Sequence, residues 1–426
     1  MDERIAIIGM ALRFPAGARD PASFWKALCD GVDGIIGAPE RCDLGAVYDP
    51  RRGTPGRSYV REYGALHDDP ADFDAAHFGL GALEARHLDP QQRLLLEVTH
   101  DALDDAGIPA DSLEGSRTGV WVGISDAEYK VLVQRRDARH LDAFAATGSL
   151  GSTACGRLSY VLGLRGPSMS VDTACSSSLV ALHLAIQAIR LGEVDLAIVA
   201  GVNVLLDVSA TISLCAMGAL SPTARCHTFS ADADGYARGE GCGVVILRAE
   251  SKLDRRGEPP YAWIRASALN HDGRSAGLTA PSGPAQVDVI RLAQQRAGVG
   301  PGQIGFVETH GSATPLGDAQ ELNALAEVFG GARPHPLVLG AVKSNIGHLE
   351  AAAGMAGLVK TALALKERHI PANLHFDRPT PRFDWSPHRF EVPTRSMAWS
   401  GSLLAGVSSF GIGGTNAHVI LEGVRP

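Results

Sequence analysis

Residues 168–204 constrain the fold of this chain more than any other stretch. The pattern predicts a strand over 168–174, a helix over 175–191 and a second strand over 195–204. A strand, a crossover helix and a following strand usually form a right-handed unit whose two strands are parallel. The stretch therefore predicts an α/β fold with a parallel sheet, and it puts Cys175 where the first strand passes into the helix.

The same alternation of strands and helices runs through both halves of the chain. Further strands are predicted at 5–8, 118–124 and the end of 235–247, and further helices at 24–29 and 90–107. The second half has predicted strands at 263–269, 304–309 and 337–342, and helices at 285–297, 318–329 and 351–366. A charged, proline-rich segment at 249–261 separates them, so we expect two similar halves, 1–250 and 251–426. The irregular stretches 43–78 and 209–234 are candidates for substrate or partner loops.

Composition excludes several classes of protein. A hydrophobic share of 45% and a charged share of 20% fit a globular chain, and a net charge of -8 argues against a nucleic-acid surface. No apolar run approaches the roughly 20 residues of a membrane span, and the first apolar run is too short for a signal peptide. The seven cysteines are scattered without C-x-x-C pairs, which favours reduced thiols. We therefore expect a cytoplasmic protein with no bound metal.

Cys175 is the first candidate for chemistry. Unpaired N–H groups at a helix start favour a thiolate, so this position predicts a lowered thiol pKa and a nucleophile. The small residues Ser176, Ser177 and Ser178 would let other backbone approach closely. A buried structural cysteine is the alternative at this point, because a nucleophile also needs a partner base.

Two histidine motifs follow predicted strands. His310 in FVETHGSATPLGDAQE is an acid/base or oxyanion candidate, with two hydroxyls beside it. In GAVKSNIGHLEAAAG, Lys343 and His348 precede a helix, and Glu350 lies in its first turn. A lysine near His348 would keep that ring neutral. The alternatives are a turn stabilised by hydroxyl groups and a helix cap with incidental charges.

A glycine-rich motif completes the set. In VSSFGIGGTNAHVI, the residues Gly411, Gly413 and Gly414 predict a sharp turn whose backbone N–H groups can bind an oxyanion. The run is not a GxGxxG that follows a strand, so a nucleotide site is not predicted. Because strand ends of a parallel sheet meet at one edge, we expect the four motifs to converge.

Together the motifs DTACSSSL, ETHGSATPLGD, KSNIGHLEAAAG and SSFGIGGTNAHVILE resemble those of the β-ketoacyl synthases. The resemblance is closest to ketosynthase domains of bacterial modular type I polyketide synthases, and it extends nearly end to end, through DPQQRLLLEV. It implies a thiolase-like fold of five layers, α-β-α-β-α, built from two similar halves and usually homodimeric. It also implies antibiotic-type polyketide biosynthesis, an acyl carrier protein and other synthase modules as partners, and no permanent cofactor.

The resemblance also implies roles for residues. Cys175 would take an acyl chain from a phosphopantetheine thioester, and a malonyl-type extender would lose CO2 and attack it in a Claisen condensation. His310 and His348 would stabilise the extender's enolate. The N–H groups of Cys175 and Phe410 would form the oxyanion hole, and the Phe410 side chain would act as a gate at the acyl pocket. Ser312 and Thr314 would bind the pantetheine arm. The implied supporting residues are Lys343, Glu321, Glu350, Gly411 and Gly413.

The chain departs from the family pattern in two places. HGSAT replaces the usual HGTGT, so Ser312 keeps a hydroxyl while Ala313 replaces a glycine, which we expect to tighten the loop. The segment before DPQQR reads GLGALEARHL instead of an ISPREA-like form. Without a docking helix, a GHSxG motif or a DSL-type carrier motif, we expect a free-standing ketosynthase or an excised domain.

Two other functions stay open from the sequence. One is an altered member that transfers or decarboxylates acyl groups without elongation, and the other is a partner without chemistry. The presence of Cys175, His310 and His348 argues against both. A thiolase that uses coenzyme A is disfavoured, since its catalytic set carries a second cysteine in place of a histidine.

Overall fold

The structure is a computed structural model that describes residues 3–125, 128–137, 139, 142–253, 258–331 and 333–425. The strands are β1 (Ile5–Arg13), β2 (Ile35–Gly37), β3 (Glu62–Gly64), β4 (Gly119–Ile124), β5 (Ser168–Val171), β6 (Ala197–Asn203), β7 (Gly241–Ala249), β8 (Ala262–His271), β9 (Phe306–Glu308), β10 (Leu337–Gly340), β11 (His369–Ile370), β12 (Phe390–Glu391), β13 (Met397–Ala398), β14 (Leu404–Phe410) and β15 (Thr415–Glu422). The helices are α1 (Pro21–Cys29), α2 (Ala82–His87), α3 (Pro90–Asp105), α4 (Glu128–Gln134), α5 (Ala143–Thr147), α6 (Gly151–Val161), α7 (Ser177–Arg190), α8 (Val208–Ala216), α9 (Gly283–Ala297), α10 (Pro315–Phe329), α11 (Lys343–Ile346) and α12 (Ala353–Glu367). Short 3₁₀ turns lie at Glu40–Cys42, Leu44–Val47, Ala110–Leu113, Ala174–Ser176, Glu250–Lys252, Pro301–Gln303 and Glu350–Ala352.

One sheet runs through both halves, in the order β12-β10-β9-β14-β15-β8-β1-β7-β6-β4-β5. In the first half, moving outward from β1, the pairs β1–β7 and β7–β6 are antiparallel, and the pairs β6–β4 and β4–β5 are parallel. In the second half, moving outward from β8, the pairs β8–β15 and β15–β14 are antiparallel, and the pairs β14–β9 and β9–β10 are parallel. The two halves therefore repeat one topology. They join where β1 and β8 pair, from Ile5 opposite Ile264 to Ile7 opposite Ala262.

Helices α7 and α12 form the middle layer. They contact each other and strands of both halves, and their apolar side chains share one buried cluster. Helices α3 and α6 cover the outer face of the first half, and α9 and α10 cover that of the second. The layers run helix, strand, helix, strand, helix, which confirms the predicted five-layer fold.

Small residues let α7 pack tightly against the sheet. A Cβ at Gly123 would lie 2.5 Å from the backbone nitrogen of Ser178, so a larger residue does not fit there. The Met355 N–H, from α12, donates to the Ser178 hydroxyl at 2.9 Å. The serines after Cys175 therefore serve the close approach that their size predicts.

Side-chain caps mark the start of helices α1, α3, α5, α8 and α9. The predicted elements are found with shifted bounds. The predicted helix 90–107 is α3, which begins at Pro90 after the cap residue Asp89 and ends before Gly107, where φ is +65°. The predicted strand 168–174 ends earlier, at Val171. The irregular stretch 209–234 contains most of α8, which Asp207 caps. Within the predicted link 249–261, residues 254–257 lie outside the described residues.

Candidate active site

The predicted site residues form one cluster, although they follow strands of both halves. Cys175 comes after β5, His310 after β9 and His348 after β10. The ring centroids of His310 and His348 are 5.6 Å apart, and the rings are nearly perpendicular at 82°. Lys343 interacts electrostatically with the thiol and with both imidazoles. The structure therefore brings together the thiol, the two histidines and the lysine.

Cys175 lies in a 3₁₀ turn ahead of the helix and not at its first residue. Helix α7 begins two residues later than predicted, at Ser177. Ala174 has a φ of +56°, which turns the chain before α-helical bonding starts. The Ser177 hydroxyl accepts from the Thr173 N–H at 2.9 Å and donates to the Ala174 carbonyl at 2.6 Å. These bonds fix the turn that carries the thiol.

The thiol of Cys175 is protonated at neutral pH. Burial, followed by the Glu350 carboxylate, raises the pKa of Cys175 to about 11. Lys343 and the backbone N–H groups of Ile412 and Cys175 itself favour the thiolate and oppose this rise. The prediction of a lowered thiol pKa is therefore wrong, because desolvation of the sulfur outweighs the donors around it.

The hairpin of β14 and β15 closes over the Cys175 turn. The Ser409 hydroxyl, near the end of β14, donates to the Cys175 carbonyl oxygen at 2.7 Å. A Cβ at Gly411 would lie 2.3 Å from the Thr173 carbonyl oxygen, so this position has room for glycine alone. A Cβ at Gly413 would meet nothing within 4 Å. Close packing therefore accounts for Gly411 and not for Gly413.

The structure differs from the prediction at Phe410. Its N–H donates to Nδ1 of His310 at 3.3 Å, and its ring, 7% exposed, packs in the outer core of the second half. The N–H that reaches the Cys175 sulfur is that of Ile412, whose side chain is 43% exposed. Because the Phe410 N–H is already bonded to His310, it does not fit the role of an oxyanion donor. Because the Phe410 ring is buried in the core, it does not fit the role of a gate. Both residues lie in SSFGIGG, and their spacing alone did not distinguish them.

Two buried acids of α10 hold the loop of His310. Glu321 accepts the N–H groups of His310 at 2.7 Å and of the next residue at 2.8 Å. Asp318 accepts those of Ala313 at 2.9 Å and Phe229 at 2.6 Å. Burial raises the pKa of Glu321 to about 7 and that of Asp318 to about 8. Sequence reasoning singled out Glu321 but missed Asp318, which is in the same PLGDAQE motif.

Ser312 and Thr314 lie together beside this loop. Their hydroxyl oxygens are 3.1 Å apart, and Ser312 is buried. Ala313, between them, has a φ of +60°, in the region that favours glycine. The tightening expected from HGSAT is therefore a backbone strain, and such a conformation costs an L-residue about 1–2 kcal/mol.

Backbone hydrogen bonds hold His348. Its own N–H donates to the Ala237 carbonyl at 2.7 Å. The Glu350 N–H donates to its Nδ1 at 3.0 Å. The Tyr236 ring meets the imidazole edge-on, with centroids 5.1 Å apart. The ring is therefore fixed from the main chain and from one face.

Both imidazoles are neutral and carry their proton on Nε2. Burial, followed by the charge of Lys343, holds the pKa of His310 and of His348 well below its usual range. A backbone N–H can only donate, so a ring nitrogen that receives one is the unprotonated acceptor. Nδ1 receives the Phe410 N–H in His310 and the Glu350 N–H in His348. Each ring therefore offers an Nε2–H donor, and the prediction of a neutral His348 is confirmed.

Lys343 is a buried cation at the start of α11, and burial lowers its pKa against the opposing charge of Glu308. Glu308 accepts the Val342 N–H at 2.5 Å and pairs with the Lys360 ammonium at 2.8 Å. Lys360 is fully buried in α12. Sequence reasoning missed this pair, although Glu308 belongs to the ETHGSAT motif and Lys360 is the one charge within AGLVKTALAL.

The buried Arg238 and the half-buried Glu350 form an ion pair next to His348. Arg238 donates from Nε and Nη2 to the two Glu350 oxygens, at 2.6 Å and 3.0 Å. It also donates to the Thr211 hydroxyl at 2.8 Å and to Glu128 at 3.1 Å. The Arg238 side chain was also missed, because nothing in GYARGEG separates it from a surface arginine.

Other kinds of site are not found within the described ranges. No group of three or more His, Cys, Asp or Glu side chains there is arranged to hold a metal ion. Among those same residues, no helix combines the length and the apolar character needed to cross a bilayer. All seven cysteines are described, and each is a free thiol.

Sequence models of one family match nearly the whole chain. They are "Beta-ketoacyl synthase, N-terminal domain" over residues 2–252, "Beta-ketoacyl synthase, C-terminal domain" over 261–377 and "Ketoacyl-synthetase C-terminal extension" over 379–425. A similar relative is a phenolphthiocerol/phthiocerol polyketide synthase of Mycobacterium tuberculosis, 49% identical over 99% of this chain. Another is polyketide synthase GfsB of Streptomyces halstedii, 45% identical over 99% of this chain. The chain spans 23% of the first relative and 8% of the second.

Solved structures share the fold. The oxazolomycin ketosynthase domain OzmH KS7 of Streptomyces albus JA3453 has a TM-score of 0.95 and 39% identity, with 99% of this chain and 75% of that chain covered. The ketosynthase from module 6 of the bacillaene synthase of Bacillus subtilis 168 has a TM-score of 0.91 and 35% identity, with 99% and 72% covered. Both structures support the thiolase-like arrangement of layers.

Proposed function

Because the chain belongs to the β-ketoacyl synthase family, we propose that it is a ketosynthase that extends polyketide chains. It accepts an acyl chain on Cys175 and extends it with a malonyl-type unit by decarboxylative Claisen condensation. Both substrates arrive as phosphopantetheine thioesters of an acyl carrier protein. The observation that carries the proposal is the pair of neutral Nε2–H donors, His310 and His348, in one cluster with a nucleophilic thiol.

Acylation of Cys175 is a thioester exchange. The sulfur attacks the carbonyl carbon, the bond to the pantetheine sulfur breaks, and the thiol proton passes overall to the leaving pantetheine thiol. The N–H groups of Cys175 and Ile412 are the candidates for the oxyanion hole, in place of the pair first predicted. The exposed Ile412 side chain, rather than the buried Phe410 ring, is then the candidate gate.

Condensation requires a stabilised enolate. The C–C bond to the extender's carboxylate breaks and releases CO2, and the electron pair passes into the thioester enolate. The Nε2–H groups of His310 and His348 donate to the enolate oxygen, and fixed donors of this kind lower a barrier without reorganising. The enolate carbon then attacks the Cys175 thioester, and Cys175 leaves as a thiolate that is reprotonated.

The remaining site residues position these groups. Ser312 and Thr314 are proposed to bind the pantetheine arm. After burial, the charge of Lys343 is the second cause that lowers the pKa of both imidazoles, and it also opposes the rise of the thiol pKa. Of the supporting residues, Glu321 holds the His310 loop, Glu350 holds the His348 turn, and Gly411 lets the hairpin close over Cys175. Gly413 stays a proposed supporting residue of that hairpin turn, without a close contact of its own.

The wider setting is part of the same proposal. The halves 1–250 and 251–426 are proposed units, which the repeated strand order supports. A homodimer is supported by β5, an edge strand with exposed Met169 and with exposed Leu150 nearby, since an unpaired edge can pair with a second copy. The relatives' names support other synthase modules as partners. The free thiols support a cytoplasmic location.

The decisive experiment follows one acyl chain through both steps. The protein is loaded from an acyl-pantetheine thioester, mixed with a malonyl carrier protein, and analysed by mass spectrometry. We expect the acyl mass on the Cys175 peptide and then a lengthened β-keto thioester on the carrier. Release of CO2 without a lengthened product would overturn elongation. Chain extension by the Cys175→Ala variant would overturn the assignment of Cys175 as the nucleophile.

A further inference from the structure

Three consecutive residues, Tyr236 to Arg238, contact His348. The Tyr236 ring meets its imidazole edge-on, and the Ala237 carbonyl accepts its backbone N–H. The main chain of Arg238 forms a β-bridge with the main chain of His348. The Arg238 side chain then passes His348 and reaches Glu350. The segment from Tyr236 to Arg238 thus contacts the ring, the main chain and the turn after His348.

The turn after His348 adopts a conformation that needs support. Glu350 has a φ of +48°, in the left-handed region that an L-residue seldom adopts. This conformation belongs to the turn in which the Glu350 N–H donates to Nδ1 of His348. A strained backbone persists where surrounding contacts over-determine it. The two bonds from Arg238 to the Glu350 carboxylate supply such contacts.

Arg238 itself is anchored on its far side. It is 5% exposed, and it donates to Thr211 and Glu128 as well as to Glu350. Glu128 in turn accepts the N–H groups of Leu206 at 2.6 Å and of the next residue at 2.8 Å. The guanidinium therefore joins the His348 turn to a fixed part of the first half. The planar, forked guanidinium of Arg238 donates two hydrogen bonds to the Glu350 carboxylate at once, and a lysine ammonium cannot reproduce this geometry.

We propose that Arg238 is a positioning residue for the condensation step, because it holds Glu350 in the turn that fixes the Nε2–H tautomer of His348. Arg238 acts through Glu350 and does not touch substrate. The inference rests on the proposed function, in which His348 donates to the enolate. It goes beyond that function by assigning the donor's orientation to a residue on another loop.

The test is Arg238→Lys, which keeps the charge and removes the fork. We expect the rate of condensation from preloaded Cys175 to fall by about 10- to 100-fold, as for other residues that orient a catalytic group. Acylation of Cys175, which does not use His348, should keep its rate. The KM for the malonyl carrier should change little, because Arg238 contributes no substrate contact. Glu350→Gln should slow condensation as well, and only its condensation rate and ring pattern are compared with those of Arg238→Lys, because it also removes a negative charge near the thiol.

Arg157→Lys is the matched control. Arg157 is a buried arginine, 8% exposed, that pairs with Glu84 and Gln92 away from His348. It should lose stability without a selective loss of condensation. In parallel, ¹⁵N spectra of histidine-labelled protein should show one ring losing its Nε2–H pattern in Arg238→Lys and none in the control.

The outcomes separate the two levels of the proposal. Equal losses of acylation and condensation in Arg238→Lys, or unchanged condensation, would overturn the positioning role. A wild-type protein that is acylated but never condenses would overturn the proposed function instead. In that case the ¹⁵N pattern alone decides whether Arg238 fixes the His348 ring.

Discussion

The hydroxyl of Ser409 donates to the carbonyl oxygen of Cys175 at 2.7 Å, so the last hairpin of the second half fixes the turn that carries the thiol of the first half. The bond joins a strand, β14, to a 3₁₀ turn that is 234 residues away in sequence. A contact between the halves therefore holds the turn that carries the thiol.

Ser409→Ala removes this donor and leaves the Cys175 carbonyl unpaired. We expect the free energy of unfolding to fall by about 1–2 kcal/mol, and acylation of Cys175 to slow. Urea unfolding and mass spectrometry measure the two effects. Ser408→Ala is the control, because the Ser408 hydroxyl contacts Nδ1 of His418 at 2.9 Å and not the thiol turn. Equal acylation rates in the two variants would contradict the role of Ser409.

The raised pKa of Cys175 predicts a steep pH dependence of alkylation. Only the thiolate reacts with iodoacetamide, so with a pKa of about 11 the rate should rise about tenfold per unit from about pH 7 to about pH 9. A thiol whose pKa lay well below about 7 would instead react at a constant rate over this range. Lys343→Met should slow the reaction at each pH, because it removes a cation that favours the thiolate. Cys175→Ala corrects for labelling at other cysteines.

The lowered pKa values of the two site histidines affect activity and stability differently as the pH falls. Condensation should not fall between about pH 7 and about pH 6 through protonation of His310 or His348, since both rings stay neutral there. The unfolded chain does bind protons at these residues below about pH 6.5, so the free energy of unfolding falls as the pH drops through that value. Each ring adds up to about 1.4 kcal/mol per pH unit. His348→Gln should reduce this slope, and an unchanged slope would contradict a neutral His348.

Lys360→Met leaves the Glu308 carboxylate buried without its cation. We expect a loss of about 3–5 kcal/mol in the free energy of unfolding. Adding Glu308→Gln should recover much of this loss, because an amide carries no charge and its oxygen can still accept the Val342 N–H. Urea unfolding of the two single variants and the double variant forms the cycle. Strictly additive losses would show that the pair is not coupled.

Ala313→Gly tests the strain at the departure from the family pattern. Glycine adopts a φ of +60° without the Cβ penalty, and this gain offsets the lost methyl contacts and the added freedom of the unfolded chain. Ala362→Gly, in the buried interior of α12, has no strain to relieve and should cost about 1 kcal/mol or more. Thermal unfolding should find Ala313→Gly clearly less destabilising. Equal losses would contradict strain at Ala313.

The sequence was sufficient to predict the layers and the cluster of Cys175, His310, His348 and Lys343, because each lies in a motif beside a predicted strand. It did not predict the state of the thiol. The pKa of Cys175 depends on burial and on Glu350, which follows a different strand. It also did not distinguish Phe410 from Ile412, since both follow the same strand and only the path of the turn decides which N–H meets the sulfur.

Long-range side-chain contacts account for what sequence reasoning missed. Arg238 and Glu350 are 112 residues apart, and their pairing depends on how two loops cross. Lys360 interrupts an apolar helix, which signals a buried charge, but its partner Glu308 becomes apparent only once α12 packs on β9.

The two protons of the histidine pair are assigned by main-chain groups, and this has an evolutionary consequence. Every amino acid except proline supplies the same N–H, so drift in the side chain at position 410 does not by itself exchange the donor and acceptor ends of the His310 ring. At position 350 the N–H is equally general, but the turn that aims it at His348 is held by the ion pair of Glu350 with Arg238. Selection on these positions then acts on the shape of the turn. A lineage could therefore change many side chains around the two rings while inheriting the same proton arrangement.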